Sequence, residues 1–238
     1  MKYIKKLLLK CLSIMSSRAL RTIGLMIEYE KFKKLNGYSK KLALLPPRSN
    51  IWDFIMEDII GENPINYLEF GVYGGESILY WAKKNKHKNS IFVGFDTFTG
   101  LPGDWKSFQK ISKKYGKTIP KGHFSTKGSV PGTKDNRVSF VKGVFNETLL
   151  PYLDNFINYA DLTNTLIVHM DADIYESTLY PLVSLSKLLK PGSIIIFDEP
   201  SVVFDEFRAL NDYIRAFGIK YKLISYTLDC DKIAILIK

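Results

Sequence analysis

The stretch Ser193-Ile-Ile-Ile-Phe-Asp-Glu-Pro200 decides the fold class, because it is a short, continuously apolar run that ends in two acids. Thr165-Leu-Ile-Val-His-Met170 has the same character and is also followed by acids. Strands without polar alternation are typical of parallel sheets that helices cover on both faces. Both stretches therefore predict central strands of an α/β domain.

Strand and helix patterns alternate on either side of these two runs. The predicted strands cover 66–70, 91–95, 138–141, 165–170, 193–197, 222–226 and 233–237, and the predicted helices cover 50–60, 74–86, 146–159, 176–189 and 204–216. Regular alternation predicts a Rossmann-like, doubly wound α/β sheet that is mostly parallel. No full helix fits between the last two strands, so the C-terminal edge of the sheet is expected to be antiparallel.

The charge of the chain is unevenly distributed. The 238 residues carry 34 Lys and Arg against 24 Asp and Glu, a formal net charge of +10. Residues 1–44 hold +9, residues 103–142 hold +8, and the rest of the chain holds −7. A uniformly basic nucleic-acid binder would not divide in this way, so no nucleic-acid partner is expected. Only Cys11 and Cys230 are present, which excludes a disulfide scaffold and favours the cytoplasm.

Residues 1–50 are predicted to form a basic helical extension in front of a domain over residues 51–238. Its apolar stripe is expected at Ile4, Leu8, Leu12, Met15, Ala19, Ile23 and Met26. Charged residues interrupt every window long enough to span a membrane. The extension is expected to pack on its own domain or on a second copy, which predicts a homo-oligomer. Contact of residues 1–35 with an anionic membrane on its inner face, and a secretory signal, are the alternatives.

Residues 99–137 form a long stretch rich in Gly, Lys and Ser with no clear periodicity. Connections of this length are usually either functional lids or disordered segments. We therefore expect an active-site lid, whose positive charge suits an anionic substrate. A solvated, lysine-rich surface is the alternative.

Acidic residues follow the predicted strands, at the ends where ligands of such sheets bind. Glu69 precedes a Gly-rich turn that does not fit the dinucleotide pattern, and it suits a ligand with a cationic amine. Asp96 is placed to accept hydrogen bonds from ribose hydroxyls, and Phe98 to lie against an adenine. A helix cap and a plain turn are the structural alternatives for the two acids.

Four further acids end two neighbouring strands, namely Asp171, Asp173, Asp198 and Glu199. Converging carboxylates repel one another unless a cation or protons intervene, and hard oxygen ligands favour Mg²⁺, with Mn²⁺ or Ca²⁺ as alternatives. A purely structural carboxylate cluster is the other interpretation. His169, within the apolar strand, is expected to be a packed core residue.

These stretches, taken in order, resemble class I S-adenosylmethionine-dependent methyltransferases, and specifically the macrocin O-methyltransferase family of sugar O-methyltransferases. The matching stretches are Leu68–Val72 with Gly75 and Ser77, Gly94–Phe98 with Gly100–Pro102, Gly122–Thr126, Val141–Phe145 with Thr148 and Leu149, Asp171–Thr178, and Pro191-Gly192 leading to Asp198. The resemblance implies S-adenosylmethionine across the ends of the first two strands. The implied cofactor-binding residues are Glu69, Gly71, Tyr73, Gly75, Ser77, Asp96, Thr97, Phe98, Gly143, Phe145 and Asp171.

The resemblance also implies separate metal-binding and catalytic roles for these acids. Asp171, Asp198 and Glu199 would hold Mg²⁺, and Asp173 would be the general base; the family usually has Asp-Asp where this chain has Asp198-Glu199. The expected activity is O-methylation of a sugar or glycoconjugate, free or on a phosphorylated carrier. Two rival interpretations are a metal-dependent glycosyltransferase that uses Asp171-Ala172-Asp173 as its D-x-D motif and a non-catalytic nucleoside-binding module.

Overall fold

The computed structural model describes residues 4–6, 13, 15–40, 43–44, 47–106 and 118–238. These residues form a seven-stranded sheet of β1 (Ile65–Phe70), β2 (Ile91–Asp96), β5 (Val138–Lys142), β6 (Thr165–Met170), β7 (Ile194–Phe197), β8 (Tyr221–Tyr226) and β9 (Ile233–Ile237). The helices are α1 (Ser17–Leu35), α2 (Ser49–Ile55), α3 (Glu76–Lys84), α4 (Phe145–Tyr159), α5 (Tyr175–Ser184) and α6 (Glu206–Phe217). A π-helical turn, Met56–Ile60, extends α2.

The strand order is β5-β2-β1-β6-β7-β9-β8. The first five strands in this order pair in parallel, whereas β9 is antiparallel to both β7 and β8. This confirms the Rossmann-like α/β sheet with an antiparallel C-terminal edge. Strands β2 and β5 lie on one side of β1, and β6 and β7 lie on the other side. The direction in which the chain adds strands therefore reverses between β1 and β6.

The sheet separates two buried apolar clusters, as expected for strands that are covered on both faces. In β1 every residue is buried, and Leu68 and Phe70 join one cluster while Ile65 and Tyr67 join the other. Side chains of a strand alternate between the faces, so Glu69 shares the face of Tyr67. This alternation carries one acid into the core beneath the end of the strand.

The first helix, α1, packs on its own domain, but with a different face from the predicted one. Thr22, Leu25, Tyr29 and Phe32 are buried. Tyr29 and Phe32 pack edge-on against Phe207 of α6, with ring centroids 4.8 and 5.6 Å away. The helix turns its largest apolar side chains inward, and the aromatic residues therefore set its rotation.

Where the structure describes it, the predicted stripe is therefore not the face that packs on the domain. Ile4, Ile23 and Met26 are exposed, the last two by 43% and 44%. Met15 and Ala19 are half-buried, and Leu8 and Leu12 lie outside the described residues. Cys230 is buried as expected, whereas Cys11 also lies outside the described residues.

Part of the long connection after β2 has a structure that the sequence did not predict. Trp105–Lys106 (β3) pairs with Thr118–Ile119 (β4) in an antiparallel hairpin. Trp105 and Ile119 are buried in a small cluster with Leu101 and Val202. Residues 107–117 lie outside the described part of the chain, so the predicted lid is only partly visible.

Helix boundaries deviate from the expected ones by a few residues. The predicted helix over 74–86 is α3, which begins at Glu76 because Gly75 adopts a left-handed conformation with φ of 80°. Among the residues that the structure describes, no helix combines the length and the apolar character that crossing a membrane requires. The division of the chain at residue 50 stays a prediction.

Candidate active site

A cavity of about 700 Å³ opens at the carboxyl ends of β1, β2, β6 and β7. It lies where the strand order changes direction, which is where open α/β sheets bind their ligands. Its volume is typical of small-molecule sites. The cavity can therefore hold a nucleoside-sized ligand together with part of a second substrate.

Asp96, at the end of β2, fixes the Gly-rich turn that forms one wall. The backbone N–H groups of Val72 and Tyr73 both donate to Asp96 Oδ2 at 2.8 Å. The N–H of Phe98 donates to Asp96 Oδ1 at 2.7 Å. Each carboxylate oxygen has two lone pairs, so Oδ1 keeps one for a ligand hydroxyl.

Two glycines of this turn lie against neighbouring segments. A Cβ on Gly71 would come within 1.8 Å of the carbonyl oxygen of Asp171, and a Cβ on Gly75 within 2.9 Å of Pro131. Both glycines have positive φ. The turn is therefore held against the end of β6 on one side and against the segment 118–137 on the other, and this segment forms a wall of the site.

Two aromatic rings stand at the mouth of the cavity. Tyr73 and Phe124 both line it, with 55% and 37% of each residue exposed, and their rings meet edge-on at 6.0 Å. Both residues have positive φ, which is unusual for side chains of this size. Such backbone strain clusters at ligand sites.

Glu69 lies in a buried hydrogen-bond network beneath the cavity. Its carboxylate accepts hydrogen bonds from Tyr67 Oη at 2.5 Å and from Ser77 Oγ at 2.7 Å. The Tyr67 hydroxyl is also 2.8 Å from His169 Nδ1. All four residues are buried, so Glu69 supports the turn from below.

His169 is fully buried, as expected for a packed residue, and it stands between two acids. Its Nδ1 lies 3.6 Å from Glu69 Oε2, and its Nε2 lies 3.7 Å from Asp198 Oδ1. Burial lowers the pKa of His169, but the two carboxylates outweigh this effect and raise the pKa to about 9. We therefore expect a positive imidazolium that links the core network to the acids of the site.

The predicted acids do converge. Oxygen atoms of Asp171, Asp173 and Glu199 lie within 4.8 Å of one another. Asp173 has a positive φ of 60°, and this strained backbone belongs to the turn that leads from β6 into α5. Below them, fully buried Glu206 of α6 accepts a hydrogen bond from the Glu199 N–H at 2.8 Å.

Asp198 differs from the other acids because cations surround it. Lys232 Nζ is 2.6 Å from Asp198 Oδ2 and donates to its carbonyl oxygen at 3.0 Å. Arg48 Nη1 is 3.4 Å from Asp198 Oδ2 and 3.3 Å from Asp171 Oδ2. Burial raises the pKa of Asp198, but His169 and the two cations outweigh it and hold this pKa well below its usual range.

The remaining acids are shifted in the opposite direction. Burial and the neighbouring carboxylates raise the pKa values of Asp171, Asp173 and Glu206 well above their usual range. Burial and the charge of Asp198 raise the pKa of Glu199 to about 7. We therefore expect Asp171, Asp173, Glu199 and Glu206 to share protons with one another in the metal-free chain.

These residues fit a divalent ion. The oxygens of Asp171, Asp173 and Glu199 are hard ligands that lie close enough together for one ion, and Asp171 forms a second such group with Asp198 and His169. Glu199 Oε2 is buried, and no described residue forms a hydrogen bond with it. A hard cation would give this atom a partner and lower the repulsion among the carboxylates.

The structure brings most of the predicted site residues to the cavity. Those that line it are Gly71, Tyr73, Asp96, Thr97, Phe145, Asp171, Asp173, Asp198 and Glu199. Glu69, Gly75, Ser77, Phe98 and Gly143 are not among the lining residues. Glu69 and Ser77 are buried below it, and the N–H of Gly143 donates to the Asp96 carbonyl oxygen at 3.0 Å.

Phe98 corrects a specific expectation, because its ring is not free to lie against an adenine. The side chain is fully buried and packs edge-on against Phe140 at a centroid distance of 6.1 Å. Its φ of 57° turns the chain at this position. The exposed rings at the cavity are those of Tyr73 and Phe124.

Arg48, Lys232 and Glu206 belong to the site without having been predicted from the sequence. Arg48 follows two prolines and no pattern around it indicates a site. Lys232 is a lysine immediately before an apolar strand, and only the pairing of that strand with β7 would have placed it beside Asp198. Glu206 lies on the inner face of an amphipathic helix, where an acid is out of place, and this was a usable signal.

The comparison with protein families matches residues 48–234 to the family described as macrocin-O-methyltransferase (TylF). A curated relative from Streptomyces olivaceus is 26% identical over 179 residues, which cover 70% of this chain and 64% of the relative. It is named 8-demethyl-8-(2,3-dimethoxy-alpha-L-rhamnosyl)-tetracenomycin-C 4'-O-methyltransferase. The chain thus matches less than two thirds of the length of that relative.

Two solved structures share the fold. The O-methyltransferase NovP superposes with a TM-score of 0.52 at 20% identity, over 77% of this chain and 75% of its own. CalS11, a calicheamicin methyltransferase, superposes with a TM-score of 0.54 at 19% identity, over 93% of both chains. At these identities the likeness is one of architecture.

Proposed function

Because the chain belongs to the macrocin O-methyltransferase family, we propose that it transfers the methyl group of S-adenosylmethionine to a hydroxyl of a sugar or glycoconjugate. The observation that carries this proposal is the meeting of three features at one cavity. These are the Gly-rich turn, Asp96, and a cluster of carboxylates. The first two suit a nucleoside donor, and the third suits the activation of a hydroxyl.

The donor side is formed by the turn and Asp96. Asp96 holds the turn through the N–H groups of Val72 and Tyr73 and keeps a lone pair for a ribose hydroxyl. Gly71 lets the backbone approach the end of β6, so the donor methyl can lie close to the acids. Holding two reactants in contact accounts for much of the acceleration of such a transfer.

On the acceptor side, Asp173 is the proposed general base. When bound, S-adenosylmethionine would supply an electrophilic methyl group and Mg²⁺ would lower the pKa of an acceptor hydroxyl; Asp171, Asp198 and Glu199 are the residues proposed to hold the ion. Asp173 accepts the hydroxyl proton at its carboxylate, and its strained, nearly buried position keeps that carboxylate at the cavity wall.

One observation supports a sugar acceptor, and a second supports a phosphorylated carrier. The relative from Streptomyces olivaceus carries a rhamnosyl group in the name of its substrate. Residues 103–142 hold a net charge of +8, which suits a phosphorylated carrier such as a nucleotide or lipid. We propose a nucleotide sugar or another phosphorylated glycoconjugate as the acceptor class.

The test is methyl transfer from labelled S-adenosylmethionine to a panel of free sugars, nucleotide sugars and lipid-linked sugars, with and without a chelator. We expect transfer to a sugar hydroxyl, and loss of most of it after metal removal. Calorimetry with S-adenosylhomocysteine and with UDP separates the rivals. Binding of UDP alone indicates a glycosyltransferase, and S-adenosylhomocysteine binding without transfer to any acceptor indicates a binding module.

We also propose a cytoplasmic location and a homo-oligomer. The exposed Ile23, Met26 and Ile27 of α1 form an apolar strip that a second copy or an anionic membrane surface can cover. Sedimentation and vesicle binding of the intact chain and of a chain without residues 1–35 separate the two.

A further inference from the structure

Lys232 is fixed beside the acid cluster by the sheet itself. It directly precedes β9, whose Ile233 pairs with Phe197 of β7, and this places Lys232 next to Asp198. Its N–H donates to Thr227 Oγ1 at 2.8 Å, and its carbonyl oxygen accepts from the Thr227 N–H at 2.9 Å. The backbone at Lys232 is thus held in a hairpin, and the ammonium position follows from the fold.

The ammonium of Lys232 forms an ion pair with Asp198. It contacts Asp198 Oδ2 at 2.6 Å and the carbonyl oxygen at 3.0 Å, and its side chain is only 17% exposed. The other oxygen of Asp198 faces His169 Nε2 at 3.7 Å. Asp198 Oδ2 is therefore already paired with an ammonium and Oδ1 faces a ring nitrogen, whereas Glu199 Oε2 has no hydrogen-bond partner among the described residues.

We propose that Lys232 is a built-in counter-ion that shares Asp198 with the divalent ion of the active site and weakens the binding of that ion. The proposal rests on the proposed function, since it concerns the same site. Lys232 is a positioning residue, because it acts through Asp198 and is not among the residues that line the cavity. The chain itself supplies part of the positive charge that the acids require.

The size of the effect follows from charge interaction. Two unit charges about 4 Å apart near a protein surface change an equilibrium constant by up to about a thousandfold. Relaxation of the site reduces this value. We therefore expect the neutral variants Lys232→Met and Lys232→Gln to bind Mn²⁺ at least about tenfold more tightly than the wild-type chain.

The test measures the dissociation constant of Mn²⁺ by electron paramagnetic resonance of the free ion. The full-length chain is saturated with S-adenosylhomocysteine, and no acceptor is present. Lys232→Arg, which keeps the charge, is expected to bind Mn²⁺ within about threefold of the wild type. Lys222→Met, at an exposed lysine of β8, is the matched control and is expected to leave the constant unchanged.

Tighter Mn²⁺ binding in both neutral variants, but not in Lys232→Arg or Lys222→Met, supports the proposal. Unchanged or weaker binding in the neutral variants, or equal tightening in Lys232→Arg, overturns it. Calorimetry with S-adenosylhomocysteine shows that each variant is folded. A wild-type chain that binds no S-adenosylhomocysteine refutes the proposed function, whereas normal binding with an unchanged Mn²⁺ constant refutes only the role of Lys232.

Discussion

Asp173 combines a strained backbone with a buried carboxylate. Its φ is 60°, and burial and neighbouring carboxylates raise its pKa. Natural chains keep such strain where the side-chain position matters. The two acids of the site thus differ in protonation, since the lowered pKa of Asp198 keeps it ionised and the raised pKa of Asp173 lets it exchange a proton.

We predict that Asp173→Asn lowers kcat by about a hundredfold to ten-thousandfold, which is the usual contribution of a general base. The affinity for S-adenosylhomocysteine should stay within about threefold of the wild-type value, because Asn has nearly the same size as Asp and the residue lies on the acceptor side. Initial rates with the best acceptor, together with calorimetry, measure both values. Asp154→Asn, at an exposed position of α4, is the control, and full activity of Asp173→Asn would refute the assignment.

Asp96 gives a second residue-level prediction. Asn at this position would place an NH₂ group against one set of backbone N–H donors, so at least one of the three hydrogen bonds is lost. We expect Asp96→Asn to weaken the binding of S-adenosylhomocysteine by about tenfold or more. A dissociation constant equal to that of the wild type would show that Asp96 holds neither the turn nor the ligand.

Residues of the site were predictable where the signal was local. Asp171, Asp173, Asp198 and Glu199 follow apolar strands directly, so the strand pattern alone brings them to one edge. Lys232 is 34 residues from its partner Asp198 and depends on the pairing of β7 with β9. That pairing is set by the whole sheet, and a single sequence does not specify it.

Among the elements, α1 shows where helix periodicity misleads. Apolar residues occur on two faces of this helix, and the buried face is the one with aromatic rings that reach Phe207 and Tyr221. The predicted stripe had the correct spacing, but it is not the face that packs on the domain. The central strands were easier to predict, because a continuous apolar run such as Ile194–Phe197 is buried on both faces. The prediction therefore did not depend on which face of the strand points to the core.

The packing of α1 predicts a clear difference between its two faces. Phe32→Ala removes a buried ring and should lower the free energy of unfolding by about 3 kcal/mol. Ile23→Ala, on the exposed face, should change it by less than about 0.5 kcal/mol. Urea unfolding of both variants measures the difference. Equal effects would mean that α1 does not dock on α6 in solution.

At the scale of the whole molecule, the chain has a net charge of +10, although its candidate active site is acidic. Burial and the charge of Asp198 raise the pKa of Glu199 from its ordinary value of 4.5 to about 7 in the folded chain. The folded chain therefore holds a proton that the unfolded chain releases, and this contribution to stability is lost as pH rises from about 4.5 through 7. Acids such as Asp205, whose pKa burial raises to about 6, add to the same trend.

We predict that the free energy of unfolding of the metal-free protein falls between pH 5 and pH 8. In Glu199→Gln this fall should be smaller by more than about 1.4 kcal/mol, the equivalent of one pKa unit. Urea unfolding at both pH values in the presence of a chelator measures this difference. Saturating Mg²⁺ should restore stability to the wild type at pH 8, because a ligand of the folded state stabilises it. An identical pH dependence for both chains would contradict the coupling of Glu199 to the cluster.

The measurement that tests the central claim most directly is a crystal structure of the chain with S-adenosylhomocysteine and Mn²⁺, with the metal located by its anomalous signal. We predict the nucleoside across the ends of β1 and β2, with its ribose at Asp96, and an anomalous peak in contact with Asp171 and Glu199. A nucleoside bound elsewhere, or a metal peak away from Asp171 and Glu199, would contradict the assignment of this cavity as the site of methyl transfer.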